Sequence, residues 1–223
     1  MRLKCFSILL SSLLFGCSAV AANIVVIGDS LSCGSFGQTL YANLAKKNTV
    51  TLYCAVSSAP SHWLSGTNPT HQICQWISPA NPALAPCGGD GKMLTLSSIL
   101  SVNSDARVII ALGTNSLMSP QVTADYKTMA DLVRAHGTCD WIGPPHLRAD
   151  QSVGFPVGRV ATEEANLAGF YDSLLSAVGT DCSFIDSRAS TAPGTVGNET
   201  VDGVHRTADA GAYWANQIDG QLE

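Results

Sequence analysis

The sequence predicts an α/β fold: a parallel sheet covered by helices on both faces. Two observations predict it. Short, almost wholly apolar runs, IVVI at 24–27 and RVIIAL at 107–112 among them, alternate with segments whose apolar residues recur at helical spacing. The chain is also long and apolar enough for a sizeable core, with 223 residues, 46% of them apolar and 13% charged. No internal repeat and no linker divides it.

Residues 1–22 have a basic start at Arg2 and Lys4, the apolar stretch FSILLSSLLFG and the small residues Ala19, Val20 and Ala21. They are expected to be a secretory signal, leaving one domain over 23–223 in the periplasm or outside the cell. A competing reading is a lipoprotein signal around Leu14, Phe15, Gly16 and Cys17, with a lipid on Cys17. Ile24 to Ile27 is the first strand. Phe36, Leu40, Leu44 and Ala45 give Phe36 to Lys46 a helical spacing. Thr49 to Val56, TVTLYCAV, is the second strand. Ser57 to Gly91 is rich in Pro, Gly, Asn and Trp and is expected to be a long loop, functional or pinned by a crosslink. Leu94 to Leu100 is a short helix and Arg107 to Leu112 a buried third strand. Val122 to Ala135 is an amphipathic helix; Cys139 to Ile142 is a fourth strand, ended by Gly143, Pro144 and Pro145. Glu163 to Val178 is a helix, Ser183 to Asp186 a fifth strand, and Ala208 to Leu222 the closing helix. After the signal no run reaches about 18 apolar residues, so no integral membrane span is expected.

Of eight cysteines, Cys5 and Cys17 fall in the signal and six remain. An even number in an exported chain points to disulfides, and sequence order suggests Cys33–Cys54, Cys74–Cys87 and Cys139–Cys182. The absence of C-x-x-C argues against a zinc ribbon or a thioredoxin-like site. Without Arg2 and Lys4 the chain has 10 basic and 17 acidic residues, a net charge near −7. With no basic cluster and a net negative charge, nucleic-acid binding is not expected.

The residues that carry chemistry fall on three loops. Gly28-Asp29-Ser30 ends the first strand, Gly113-Thr114-Asn115 follows RVIIAL, and Asp202-Gly203-Val204-His205 precedes the last helix. Together they suit acyl transfer. Serine attacks a carbonyl, histidine takes and returns its proton, and aspartate orients the imidazolium. Asparagine and backbone N–H groups stabilise the oxyanion by roughly 3–4 kcal/mol per donor. Asp29 is expected to bond loop backbone rather than do chemistry. Ser30 alone could cap a helix, and Asp202 could cap the last one.

GDSLS, GTN and DGVH, in this order, resemble the SGNH (GDSL) hydrolase superfamily, over nearly the whole mature chain. The resemblance implies a three-layer α/β/α sandwich with a five-stranded parallel sheet, of flavodoxin-like type. It implies Ser30 as nucleophile, His205 as base, Asp202 as its partner, and an oxyanion hole of Asn115 and the Ser30 N–H. The family's third donor, a glycine after strand two, is missing from CAVSSAPSHW; Ser58, or else Ser57, stands there. Ser116 stands where many members carry aspartate. No G-x-S-x-G occurs, which argues against the ordinary α/β-hydrolase fold.

His62 and His146 lie in candidate rim loops and, with Trp63, are candidates for substrate contact, the alternative for the histidines being plain surface or pocket residues. Trp63 and Trp76 read either as sugar platforms or as packing within a disulfide-supported loop. Trp141 is expected in the core or a pocket wall. No metal and no organic cofactor is called for, and a monomer is expected. The expected activity is hydrolysis of a short-chain or carbohydrate O-acetyl ester. The alternatives are a periplasmic lysophospholipase or thioesterase, an acyltransferase using the same residues, and a non-catalytic carbohydrate-binding protein on the same fold.

Overall fold

A computed structural model describes residues 21–68, 74–87, 92–118 and 124–222. Most of the expected signal segment, with Cys17, lies outside the described residues. The strands are β1 (Asn23–Gly28), β2 (Thr49–Ala55), β3 (Cys74–Ser78), β4 (Asn81–Pro86), β5 (Arg107–Ala111), β6 (Cys139–Ile142) and β7 (Ser183–Ile185). The helices are α1 (Ser30–Cys33), α2 (Ser35–Leu44), α3 (Pro60–Ser65), α4 (Leu96–Ser101), α5 (Ala124–His136), α6 (Arg159–Val178) and α7 (Ala208–Asp219). The sheet order is β4-β3-β2-β1-β5-β6-β7. β2, β1, β5, β6 and β7 run parallel.

The period-two rule divides the core. Val25 and Ile27 point to one face, where they join Trp63, Leu96, Tyr126, Met129 and Phe170 from α3 to α6. Ile24 and Val26 point to the other, where they join Phe36 and Leu40 of α2 and Trp214 and Ile218 of α7. Phe36 stacks on Trp214 with ring centroids 3.6 Å apart. α7 can lie this close to α2 because Gly211 has no Cβ; one would sit 1.9 Å from Ser35 Oγ. These two layers around the sheet make the α/β/α sandwich. Among the described residues, no helix is long and apolar enough to cross a membrane.

Among the described residues the sheet has seven strands, two more than the five parallel ones expected. The extra two form an antiparallel hairpin, β3 on β2 and β4 on β3, inside the segment expected to be a long loop. Pro82 and Pro86 hid β4, because proline cannot donate to a ladder and reads as loop. At the outer edge of a sheet that missing donor costs little, and it blocks pairing with another chain. The same segment holds α3, too short for its periodicity to register. Pro60 starts it, and Gly66 ends it in the left-handed conformation, φ 72°. α6 begins at Arg159 rather than Glu163.

The structure joins Cys33 to Cys54, Cys74 to Cys87 and Cys139 to Cys182, with Cα–Cα distances of 5.4, 5.1 and 4.4 Å. The first ties α1 to β2, the second closes the hairpin, and the third joins β6 to the turn before β7. The third spans 43 residues, the longest of the three loops. Replacing Cys139 and Cys182 together with alanine is expected to cost about 2–4 kcal/mol, because the unfolded chain regains the entropy of that loop. Urea unfolding of the oxidised double variant checks this; an unchanged midpoint and slope contradict it.

Candidate active site

β1 runs straight into the site. Its last residue, Gly28, is followed by Asp29, whose Oδ1 accepts the Leu31 N–H at 2.9 Å and so caps α1. The helix cap is therefore Asp29, not Ser30, which is the first residue of the helix and does not spend its hydroxyl on the cap. The Ser30 hydroxyl lies 3.0 Å from His205 Nε2, and His205 Nδ1 lies 2.7 Å from Asp202 Oδ2. A carboxylate only accepts, so the hydrogen sits on Nδ1 and the Nε2 lone pair faces the serine hydroxyl. The other Asp202 oxygen accepts the N–H groups of Val204 and His205 at 3.0 and 2.8 Å. Asp202 thus serves the histidine, while the last helix is capped by Thr207. Partial burial pushes the Asp202 carboxyl up, but the hydrogen bonds from the His205 ring and these two N–H groups outweigh it and hold it below the ordinary carboxylate range.

The turn from Asp202 to His205 is braced by the segment after β6. Arg148 N–H donates to Gly203 O at 2.8 Å, and Val153 N–H to Asp202 O at 3.2 Å. Gln151 Oε1 accepts the N–H and hydroxyl of Thr200 at 3.0 and 2.6 Å. Gly203 is needed twice over: its φ is 93°, and a Cβ would come within 2.7 Å of Arg148 O. Beside His205, buried Arg206 donates to the carbonyls of His146 and Asn198.

Asn115 sits on the short turn after β5. Its amide donates to Ser58 O at 3.0 Å and makes a longer contact, 3.4 Å, to Asp29 Oδ2. Asp29 is wholly buried, and burial raises its pKa to about 7 against the pull of the Leu31 N–H and the nearby His205. Sequence reasoning missed this contact; the adjacency of Asp29 to Ser30 was its only trace.

Ser58 does not fill the place expected of it. It is buried, and its N–H donates to Ala55 O at 3.2 Å. Ser57 instead takes the left-handed conformation that glycine favours, φ 58°. Its N–H has no protein partner among the described residues.

The expected substrate residues separate. Trp63 is wholly buried, its indole N–H bonded to Ser58 Oγ at 3.1 Å, so it is a core residue and offers no platform. Five residues behind the turn, it packs where an α3 side chain must face the sheet. His62 accepts the Ala59 N–H on Nδ1 at 3.1 Å, which spends that nitrogen on the helix start; burial lowers its pKa. Trp76 stacks on Tyr53 within the sheet, ring centroids 6.4 Å apart. Trp141 is buried in the core. His146 follows β6 and bonds Glu164 of α6, Nδ1 to Oε1 2.6 Å.

No protein-family model and no curated protein matches the chain. Solved structures do match it. A carbohydrate acetylesterase family member from Sinorhizobium meliloti superposes with a TM-score of 0.59 at 18% identity, over 90% of this chain and 97% of that one. The native aryl esterase of M. smegmatis gives 0.58 at 18%, over 91% and 98%. A GDSL-like lipase from Bacteroides thetaiotaomicron gives 0.55 at 12%, over 90% and 89%. At such identities the likeness is one of fold.

Proposed function

We propose that this chain is an exported serine ester hydrolase of the SGNH (GDSL) superfamily, acting on a short-chain ester, foremost an O-acetyl ester of a carbohydrate. The observation that carries the reading is the row Ser30 Oγ, His205 Nε2, His205 Nδ1, Asp202 Oδ2, with heavy-atom distances of 3.0 and 2.7 Å across its two gaps. In the proposed reaction Ser30 attacks the ester carbonyl as its proton passes to His205. The oxyanion meets three donors: the N–H of Ser30, the N–H of Ser57, and the Asn115 amide hydrogen that now makes only the 3.4 Å contact to Asp29. Its other hydrogen stays on Ser58 O and holds the amide in place. The tetrahedral intermediate collapses, His205 gives the proton to the leaving alcohol, and an acyl-serine remains. Water, deprotonated by His205, then releases the acid.

The acetyl-ester preference is supported by solved structures that share the fold, among them carbohydrate acetylesterases from Sinorhizobium meliloti. The lysophospholipase or thioesterase reading also has an observation in its favour. Val153, hydrogen-bonded through its N–H to Asp202 O, is 68% exposed, and Val201, one residue before Asp202, is 64% exposed. Two exposed valines beside the Asp202 turn offer apolar contacts to a longer acyl chain.

Two measurements test the proposal. A fluorophosphonate probe is expected to label the wild type and not Ser30→Ala; no labelling between about pH 6 and 9 favours the binding-protein alternative. p-Nitrophenyl acetate is expected to be cleaved faster than the octanoate; the reverse order moves the assignment to the long-chain reading.

A further inference from the structure

The segment after β6 holds a second histidine wired like the first. Glu164 Oε1 lies 2.6 Å from His146 Nδ1, as Asp202 Oδ2 lies 2.7 Å from His205 Nδ1. The second Glu164 oxygen accepts the Leu147 N–H at 2.6 Å. As in the first pair, the carboxylate puts the hydrogen on Nδ1 and leaves the Nε2 lone pair outward. His205 spends that lone pair on Ser30. His146 Nε2 has no protein partner among the described residues.

The main chain around His146 is held on every side. Its N–H donates to Thr191 Oγ1 at 2.9 Å, and its carbonyl accepts from Arg206, the neighbour of His205. Pro144 O accepts the Tyr171 hydroxyl at 2.8 Å, and Arg148 N–H binds Gly203 O, in the middle of the Asp202–His205 turn. The residue thus sits four residues past the carboxyl end of β6, the neighbour of the edge strand β7, on the rim that carries Ser30 and Asn115. Two of its bonds run to the loop that bears His205. A loop could be tied to α6 by the Leu147–Glu164 bond alone. The added imidazole, with its tautomer set and one nitrogen unspent, is a group placed for a ligand.

We propose that His146, oriented by Glu164, is a specificity residue that accepts a hydrogen bond from a free hydroxyl of the alcohol half of the ester. The inference rests on the acyl-transfer reading of Ser30 and His205, and it narrows the substrate class to esters of polyhydroxylated alcohols. His146 forms and breaks no bond; it holds the alcohol while Ser30 attacks the acyl carbonyl.

The test compares two acetate esters that share the reacting bond. Acetylated xylo-oligosaccharide offers hydroxyls; p-nitrophenyl acetate offers none. In His146→Ala, kcat/KM on the oligosaccharide is expected to fall about tenfold, through KM, the loss of one hydrogen bond. On p-nitrophenyl acetate it is expected to change less than twofold. His146→Gln, whose amide reaches the Nε2 position, is expected to recover part of the loss; Glu164→Gln, which keeps an acceptor for Nδ1 but weakens it, is expected to fall between wild type and His146→Ala. Equal losses on both esters, or no loss on either, overturn the proposal. So does a wild type that cleaves p-nitrophenyl acetate and releases no acetate from the oligosaccharide. Persistence of p-nitrophenyl acetate cleavage in Ser30→Ala overturns the acyl-transfer reading itself, a result independent of any His146 variant.

Discussion

Ser30→Ala and His205→Ala are each expected to lower kcat on p-nitrophenyl acetate by about 10⁴- to 10⁶-fold, and the double variant by no more than the larger single loss. Without the hydroxyl there is nothing to acylate. Without the imidazole the hydroxyl keeps its proton and is a poor nucleophile. In the proposed reaction each residue acts only through the other, so their losses are expected not to add. Asp202→Asn is expected to lose about 10⁴-fold, because an amide facing Nδ1 favours the tautomer with its hydrogen on Nε2, pointing at Ser30. Steady-state kinetics of the four variants decides the matter. Additive losses, or a His205→Ala enzyme within tenfold of wild type, remove the basis for joining Ser30 to His205 in one reaction.

The second large effect concerns stability. Asp29 is buried beside Ser30 with its pKa raised to about 7, against an ordinary 3.8. The folded protein therefore keeps a proton that the unfolded chain has already released between about pH 4 and 7. Stability contributed by this group is intact below pH 4 and is lost as pH rises to 7, a change on the order of 4 kcal/mol. Asp29→Asn has no proton to lose. Its Oδ1 can still accept the Leu31 N–H, while its amide loses the Asn115 contact, a cost that does not vary with pH. The difference in unfolding free energy, variant minus wild type, is thus expected to climb in the variant's favour by that amount from pH 4 to 8. Urea titrations across this range measure it. A flat difference means that Asp29 is ionised throughout in the folded state.

The strands with uninterrupted apolar runs were legible in the sequence, because a strand buried on both faces has no polar positions to confuse its pattern. The three motif loops were legible for a related reason: each ends an apolar run or precedes a clear helix, so each is assigned to a sheet rim. The β3–β4 hairpin was not. Its prolines are acceptable only at an edge, and whether a strand lies at an edge is a fact about its neighbours. Trp63 stays open between platform and packing in the sequence because exposure is set by packing: only α3, by turning it onto the sheet, makes it a core residue. The serine that replaces the expected glycine was also out of reach. Only the backbone distinguishes Ser57, at positive φ with an unspent N–H, from Ser58, whose N–H closes a turn.

By itself the sequence determined the alternation of elements, the exported character of the chain as an expectation, and which residue types lie at strand ends. These follow from local rules, the period of the apolar residues and the order of short motifs. Tertiary structure alone decided what meets across the chain: Ser30 with His205, Asn115 with Asp29 and Ser58, His146 with Glu164. Hydrogen bonds form only within about 3 Å, and residues distant in sequence come that close only when the sheet order brings their loops to one rim.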